Sequence, residues 1–286
     1  MSFQIVTDTC CDFPRQMYQD LGLVAVPVTL TFQGQEITEY DDAWLKTLYD
    51  GLRQGQVATT AAVNPQQWQD AMSSVLEKGE DVLVLPLSSG LSTTCQSAMI
   101  AKSELEEKYP QRTIRVVDTL AASMGQGLLV YYACRHRDQG ETVDQVADWC
   151  EEHKQNVCHW FTVDDLQYLK RGGRVSAATA LLGTMLQIKP VLHCNEEGKL
   201  INVAKVRGRK ASVEALAKKL GELGLPGEND VCFISHGDCP EDAKTLKKMI
   251  RETYGIKRVI ISYIGAVIGS HSGPGTLALF FMGGHR

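Results

Sequence analysis

Short apolar runs rich in β-branched residues alternate with amphipathic stretches along the first half of the chain. The apolar runs predict strands, and apolar residues at helical spacing predict the helices between them. Segment 81–87 reads DVLVLPL, which is typical of a strand covered on both faces. This alternation favours βαβ units on a mainly parallel sheet. The predicted strands are 3–7, 23–32, 81–87 and 113–118, and the predicted helices are 14–21, 41–52, 65–76, 93–108 and 121–136.

The second half of the chain adds a hairpin to the same alternation. Runs 188–193 and 199–205 flank the turn residues 195–198, which predicts two antiparallel strands. Further strands are predicted at 157–163, 231–235, 258–264 and 276–282, and further helices at 143–152, 164–170, 212–223 and 243–254.

The length of 286 residues, at roughly 150 residues per domain, favours two domains. We therefore predict a two-domain α/β protein. Its N-terminal domain, 1–155, has a mainly parallel sheet with flanking helices. Its smaller C-terminal α/β domain, 156–286, has a mixed sheet, and its last segment is free to pack back at the interface.

Composition and charge narrow the functional classes. The 29 basic and 34 acidic residues leave a net charge of −5, which argues against a nucleic-acid-binding protein. Nine scattered cysteines indicate reduced thiols and not a disulfide scaffold. The sequence shows no export signal and no apolar run of about 20 residues. We therefore expect a cytoplasmic protein with no stable membrane insertion.

Three hydroxyl-rich segments adjoin the ends of predicted elements: Thr7–Thr9, Thr59–Thr60 and Ser88–Thr94. In open α/β sheets, ligands gather at the carboxyl ends of strands and at helix N-termini. Hydroxyls and free helix N–H groups suit an anionic head group there. Each segment on its own is equally open to a role as a simple N-cap. Three in succession favour a binding site.

Two glycine-rich segments carry candidate charged groups. Segment 169–176 contains Lys170, Arg171 and Arg174, and segment 269–275 contains His271, which we place on a tight loop between two strands. The chain contains neither a P-loop nor a nucleophile elbow. Its His and Cys pairs do not form a clear four-ligand set. We therefore expect neither a cofactor nor a metal.

In this order, six segments of the chain resemble motifs of the DegV family of bacterial fatty-acid-binding proteins, which includes the B subunits of fatty acid kinase. The resemblance covers nearly the whole chain. The segments are 6–12, 57–60, 88–92, 116–119, 170–176 with 188–190, and 270–275.

The resemblance implies a long-chain fatty acid of the C14–C18 type, such as palmitate, buried between or beneath the domains. It assigns the hydroxyls of Thr59 and Ser92 to the fatty-acid carboxylate. Near the head group it places Thr60, Ser89, Gly90, Arg174 and His271, and we expect Arg174 and His271 to supply positive potential there.

The resemblance also implies a non-catalytic role. Family members of the kinase type present the bound acid to a separate ATP-dependent catalytic subunit, which forms an acyl phosphate. Arg207 aligns with a basic position on the docking surface for that partner.

The sequence departs from the family pattern at Cys10, Cys11, Ala61, Ala62 and Thr93. Two alternatives also stay open. One is a hydrolase or phosphotransferase that uses Ser92 or Ser270 with His271. The other is a protein that binds another lipid or a phosphorylated ligand.

Overall fold

The computed structural model describes residues 2–175, 187–225, 227 and 229–286. Its strands are β1 (Phe3–Asp8), β2 (Val24–Val26), β3 (Thr29–Phe32), β4 (Gln35–Ile37), β5 (Ala58–Ala61), β6 (Asp81–Leu85), β7 (Ile114–Val116), β8 (Val157–Thr162), β9 (Ile188–Cys194), β10 (Leu200–Arg207), β11 (Val231–His236), β12 (Arg258–Tyr263) and β13 (Leu277–Met282). Its α-helices are α1 (Arg15–Asp20), α2 (Asp42–Arg53), α3 (Pro65–Leu76), α4 (Thr94–Lys108), α5 (Met124–Asp138), α6 (Val143–His153), α7 (Gln167–Arg171), α8 (Arg209–Leu223), α9 (Pro240–Tyr254) and α10 (Ala266–Ser272).

The strands form three sheets, and the predicted mixed α/β class is confirmed. Sheet A has the order β2-β1-β6-β7 and is entirely parallel. Sheet B has the order β4-β3-β5 and is antiparallel. Sheet C has the order β10-β9-β8-β13-β11-β12 and is mixed, with the predicted hairpin at its edge as β9 and β10. Every residue of β6 is buried, as its apolar run predicts.

The single strand predicted over 23–32 is wrong, because Pro27 divides it. Val24–Val26 pairs with β1 in sheet A, whereas Thr29–Phe32 pairs with β4 and β5 in sheet B. Proline has no N–H group to donate to a ladder, so the pairing stops there. The chain then leaves one sheet and enters another, and this transition creates sheet B, which the sequence analysis did not predict.

Local capping chemistry fixes two predicted helix starts. The Asn64 side chain accepts from the N–H of Gln67, and the Gln67 side chain accepts from the N–H of Asn64, which is a complete capping box. Asp41 accepts from the N–H of Trp44 at 2.8 Å. Both starts agree with the sequence prediction.

Helix α5 lies between sheets A and C. It contacts β1 of sheet A and also β8, β11 and β13 of sheet C. Its residues from Met124 to Tyr131 are all buried, which is typical of a helix enclosed on every side. One hydrophobic cluster therefore runs from Ile5 in β1 through α5 to Phe280 in β13.

The segment that contains α10 and β13 joins distant parts of the molecule. Helix α10 packs against α2 and sheet B, and the Tyr49 hydroxyl of α2 donates to the Ile264 carbonyl at 2.8 Å. Strand β13 lies between β8 and β11 in sheet C. In the described ranges, no helix combines the length and the apolar character that crossing a bilayer requires.

Candidate functional site

A cavity of about 400 Å³ lies between sheet C, helix α10 and the segments that end β5 and follow β6. We call it the acyl cavity, for the ligand that the resemblance implies. Just over half of its lining side chains are apolar, among them Leu87, Phe161, Leu169, Ile264 and Phe280.

Strands β13 and β8 form one long wall of the acyl cavity. Thr276, Ala278 and Phe280 line it, since alternate residues of a strand face the same side. On β8, Phe161 lies opposite Ala278 and His159 lies opposite Phe280, and both also line the cavity. At strand spacing, the wall from Thr276 to Phe280 is about 13 Å long.

Polar side chains converge at one end of the cavity, here called the head-group end. The Thr60 hydroxyl of β5 lies 2.8 Å from Nε2 of His271 in α10. The Ser92 hydroxyl accepts from the N–H of Thr94 at 3.2 Å and lies 2.9 Å from the Thr94 hydroxyl. Thr60, Ser92 and His271 all line the cavity. Three separate elements therefore bring hydroxyl and imidazole groups to one place.

Arg174 brings a guanidinium to the same end. It lines the acyl cavity, and its Nε donates to the Leu91 carbonyl at 3.2 Å. This bond ties the segment after α7 to the loop that carries Ser92. The last residue of the motif that contains Arg174, Ser176, lies outside the described residues.

His271 lies in helix α10, so its predicted place on a tight loop is wrong. Burial, with Arg174 nearby, lowers the pKa of His271 to about 4. Its imidazole is therefore neutral near pH 7 in this structure, and positive potential from His271 beside a bound carboxylate stays a prediction. The positive charge at the head-group end comes from Arg174.

A glycine makes room for the His271 ring. A Cβ at Gly172 would lie 2.3 Å from Nδ1 of His271, which is too close for any other residue type without a shift. Gly172 therefore lies directly against the His271 ring, whereas a Cβ at Gly173 would meet nothing within 4 Å. The two motifs pack against each other.

Thr59 and Thr60 point to different places because they are neighbours on β5. Thr60 is half-buried and lines the acyl cavity, whereas Thr59 is exposed. Thr59 lines a smaller recess of about 240 Å³ that shares Thr60, Arg174 and His271 with the cavity. The resemblance alone could not distinguish the two threonines, because their orientation depends on the pairing of β5 with β3.

The other predicted residues occupy varied positions. Ser89 is exposed and lines the acyl cavity. Gly90 packs against the turn between β9 and β10, where a Cβ would lie 2.5 Å from the Glu197 carbonyl oxygen. Arg207 is exposed at the end of β10, the edge strand of sheet C.

The departures from the family pattern fall into two groups. Ala61, Ala62 and Thr93 line the acyl cavity, so they bear on its shape. Cys10 and Cys11 are buried within the hydrophobic clusters and are not among the cavity-lining residues.

Sequence reasoning missed five polar residues of the cavity wall. They are all buried, and each lines the cavity: Ser123, His159, Ser235, Ser272 and Thr276. Ser272 lies within the segment 270–275, and His159 lies inside the apolar run of β8, VCHWFT. Ser123 and Ser235 gave no local signal, because their place depends on how α5 and sheet C meet.

The hydrogen bonds of His271 and Ser270 argue against the alternative in which a serine and His271 act as a catalytic pair. Nε2 of His271 is engaged by Thr60, and the Ser270 hydroxyl donates to the Val267 carbonyl at 2.8 Å. Among the residues that the structure describes, no serine hydroxyl is hydrogen-bonded to a histidine ring, and no three potential metal ligands cluster. For a serine and His271 to form a hydrolytic pair, the side chains at the head-group end would have to rearrange.

The fold and the cavity define a class: an α/β protein of several sheets with a cavity whose lining is mostly apolar and which carries hydroxyl, imidazole and guanidinium groups at one end. The chain belongs to the DegV family, whose model, described as an uncharacterised protein of the DegV family, matches residues 2–283. The resemblance drawn from the six segments is thereby confirmed. A DegV domain-containing protein of Clostridium perfringens is 44% identical over 283 residues, covering 98% of this chain and 97% of its own length.

Solved structures of family members have the same fold. A DegV family protein from Thermus thermophilus, described by its fatty acid binding, is 30% identical with a TM-score of 0.88 and covers 99% of this chain and 100% of its own. DegV from Bacillus subtilis, described as a fatty acid binding protein, is 27% identical with a TM-score of 0.84 and covers 99% of each chain.

Proposed function

We propose that this protein binds a long-chain fatty acid, with its tail in the acyl cavity and its carboxylate at the head-group end. One observation carries the proposal. A largely apolar wall about 13 Å long leads to a hydrogen-bonded Thr60–His271 pair beside Arg174. The fatty-acid-binding relatives with this fold support it.

The tail supplies most of the binding energy. Burying one methylene contributes about 0.8 kcal/mol, so a tail of about 15 methylenes contributes on the order of 12 kcal/mol before costs. Immobilising the ligand offsets several kcal/mol of this gain. The carboxylate opposes binding, because a buried charge without partners is costly. The head-group end has to offset that cost.

The hydrogen bonds at the head-group end leave hydroxyl protons free for the carboxylate. If neutral His271 carries its proton on Nε2, it donates to Thr60, and the Thr60 hydroxyl is then free to donate to a carboxylate oxygen. Thr94 donates its N–H to Ser92, and when the Thr94 hydroxyl also donates to Ser92, the Ser92 hydroxyl is equally free to donate to the carboxylate. Arg174 adds a charge-assisted partner or a favourable field.

A matched pair of substitutions tests the carboxylate site. Thr60→Val should weaken fatty-acid binding by about 1–2 kcal/mol, because it removes one donor to a charged group. The loss should be much smaller for the alcohol of the same chain length. Titration calorimetry with palmitic acid and hexadecanol measures both affinities.

Thr59→Val is the control for this test, since Thr59 is exposed on the same strand. If Thr59→Val weakens acid binding more than Thr60→Val does, the carboxylate lies in the smaller recess and the assignment to Thr60 is wrong. Ser92→Ala combined with Thr60→Val should affect acid binding more than either change alone. Equal losses for the acid and the alcohol would contradict a carboxylate role.

We further propose that the bound acid is presented to a separate ATP-dependent kinase subunit in the cytoplasm, and that this protein is not itself catalytic. The exposed position of Arg207 at the end of β10 supports a docking role. Arg207→Ala should reduce acyl phosphate formation by the combined subunits several-fold and leave palmitate affinity unchanged. Acyl phosphate formed by the isolated chain from ATP and palmitate would contradict this proposal.

A further inference from the structure

His159 is a polar residue on the long wall of the acyl cavity. It is 3% exposed, and neither Nδ1 nor Nε2 makes a hydrogen bond of normal geometry to the described residues. Burial, with Arg286 contributing, lowers the pKa of His159 well below its usual value, against a weaker backbone contact at Val157 that acts in the opposite direction. The neutral ring therefore offers one N–H donor and one nitrogen acceptor.

The position of His159 along the wall is fixed by strand register. It pairs with Phe280, and the two rings meet edge to face with centroids 5.5 Å apart. Thr276, near the helix that carries His271, is four residues before Phe280, or about 13 Å along the strand. His159 therefore lies beside the distal part of a tail whose carboxylate is at the head-group end.

The packing around His159 keeps its ring in place. A Cβ at Gly125 of α5 would lie 2.1 Å from Cδ2 and Nε2 of His159, so the glycine leaves room for the imidazole. Phe280 covers another side of the ring. The ring cannot move easily toward solvent to find partners.

A second polar group, Ser235, lies along the wall between the positions of Thr276 and His159. Ser235 pairs with Ala278, and its hydroxyl lies 3.0 Å from the Ser123 hydroxyl. Ser123 in turn donates to Asp12 at 2.6 Å. These serines have partners within the protein, whereas the His159 ring and the Ser272 hydroxyl line the cavity without a hydrogen-bond partner among the described residues. Ser272 follows His271 in α10, so His159 is the unpaired polar group beside the distal part of a ligand.

A saturated hydrocarbon tail leaves the imidazole unpaired, and buried polar groups in proteins are rarely left so. We propose that the acyl cavity accepts long-chain fatty acids that carry a hydroxyl in the distal half of the chain, and that this hydroxyl binds His159. A hydroxyl both donates and accepts, so it suits either tautomer of the ring. This ligand assignment rests on the fatty-acid function proposed above.

The test compares three acids on the intact protein by titration calorimetry: stearic acid, 12-hydroxystearic acid and 3-hydroxystearic acid. The 12-hydroxy acid should bind about fivefold more tightly than stearic acid, which is the usual size of one net hydrogen bond. The 3-hydroxy acid carries its hydroxyl near the carboxylate and should show no such gain. It controls for the general effect of a hydroxyl on solubility.

His159→Phe should remove the preference for the 12-hydroxy acid, so that the ratio of its affinity to that of stearic acid falls to about one, whatever the change in absolute affinity. His193→Phe is the matched control, because His193 on β9 stacks on Trp160 and is not among the cavity-lining residues. This control should keep the preference. Since phenylalanine is larger than histidine beside Gly125, His159→Met provides a second, more flexible replacement.

The outcomes separate the two proposals. If stearic acid binds and the 12-hydroxy acid binds tenfold more weakly, with the same ratio in His159→Phe and His159→Met, the hydroxyl assignment is wrong and fatty-acid binding stands. If none of the three acids binds to the folded wild-type protein, the fatty-acid function itself is wrong.

Discussion

At the scale of single residues, burial keeps several ionisable side chains neutral. Asp12 has a left-handed backbone conformation with φ 54°, and its carboxyl accepts from Ser123 at 2.6 Å. Burial raises the pKa of Asp12 to about 8, whereas burial and Arg174 lower the pKa of His271 to about 4. Both groups are therefore uncharged in the folded protein near neutral pH, which is compatible with the largely apolar cavity.

Asp12 should make the folded protein less stable as the pH rises. Its pKa is about 8 in the folded state and about 4 in the unfolded chain. The stabilisation that Asp12 contributes is thus complete at pH values below its pKa in the unfolded chain. It is lost as the pH rises through its pKa in the folded protein. In the wild type, ionisation of Asp12 should lower the unfolding free energy as the pH rises from about 6 to about 8.5. In Asp12→Asn this decline should be smaller by about 2 kcal/mol.

Urea unfolding at both pH values measures this effect. His271 does not interfere with the comparison, because its neutral folded form and its partial protonation in the unfolded chain are the same in the wild type and in Asp12→Asn. Asp20→Asn, at an exposed position of α1, is the control. An unchanged pH dependence in Asp12→Asn would show that Asp12 is ionised in the folded protein.

At the scale of elements, the β9–β10 hairpin covers part of the cavity. Cys194 and Leu200, at the two ends of its turn, line the acyl cavity. The turn is held against the loop after β6 by the Ser88 hydroxyl, which donates to the Gly198 carbonyl at 2.9 Å. The close approach of Gly90 to Glu197 belongs to the same contact. The hairpin turn and this loop therefore form one closed edge of the cavity.

Gly90→Ala should loosen this edge. The added methyl group meets backbone atoms, which cannot rotate away as a flexible side chain can. We expect a loss of about 1–3 kcal/mol in stability, together with faster release of the fatty acid. Hydrogen exchange of the amides of 195–200 should accelerate as well.

Gly284→Ala is the control for Gly90→Ala, because its Cβ would meet only Leu225 at an ordinary 3.9 Å. If the amides of 195–200 exchange at the wild-type rate in Gly90→Ala, the turn does not depend on this contact.

The helices and strands also show which features could be predicted from the sequence alone. Local signals sufficed for the capped starts at Asp41 and Asn64 and for the β9–β10 hairpin. They failed at Pro27, where the two halves of one apolar run join different sheets. They named Thr60 and Thr59 together without showing which of the two faces the cavity, and they gave no role to His159. Which face of a short strand points inward is decided by partners that are distant in the sequence.

At the scale of the whole molecule, the two predicted domains, 1–155 and 156–286, share a hydrophobic core. Helix α5 belongs to the first half, and it packs against three strands of sheet C in the second. Helix α10 of the second half packs in return against α2 and sheet B. We therefore propose that the halves fold and unfold together.

Leu128→Ala tests this coupling, because Leu128 is fully buried in α5. It should lower the unfolding free energy by about 3 kcal/mol and shift a single transition without dividing it. Calorimetry checks this, since the calorimetric and van't Hoff enthalpies agree only for a two-state transition. Two transitions, of which only one responds to the substitution, would show that the halves are independent.

The place of β13 in sheet C has a consequence for biosynthesis. A ribosome releases the chain from its amino terminus, yet the strand between β8 and β11 comes from residues 277–282. Until those residues leave the exit tunnel, β8 and β11 lack the strand that lies between them. The part of the long wall that carries Ala278 and Phe280 is then missing. A nascent chain should therefore lack a closed apolar cavity until this point of translation, and the ligand binding proposed above should begin only afterwards.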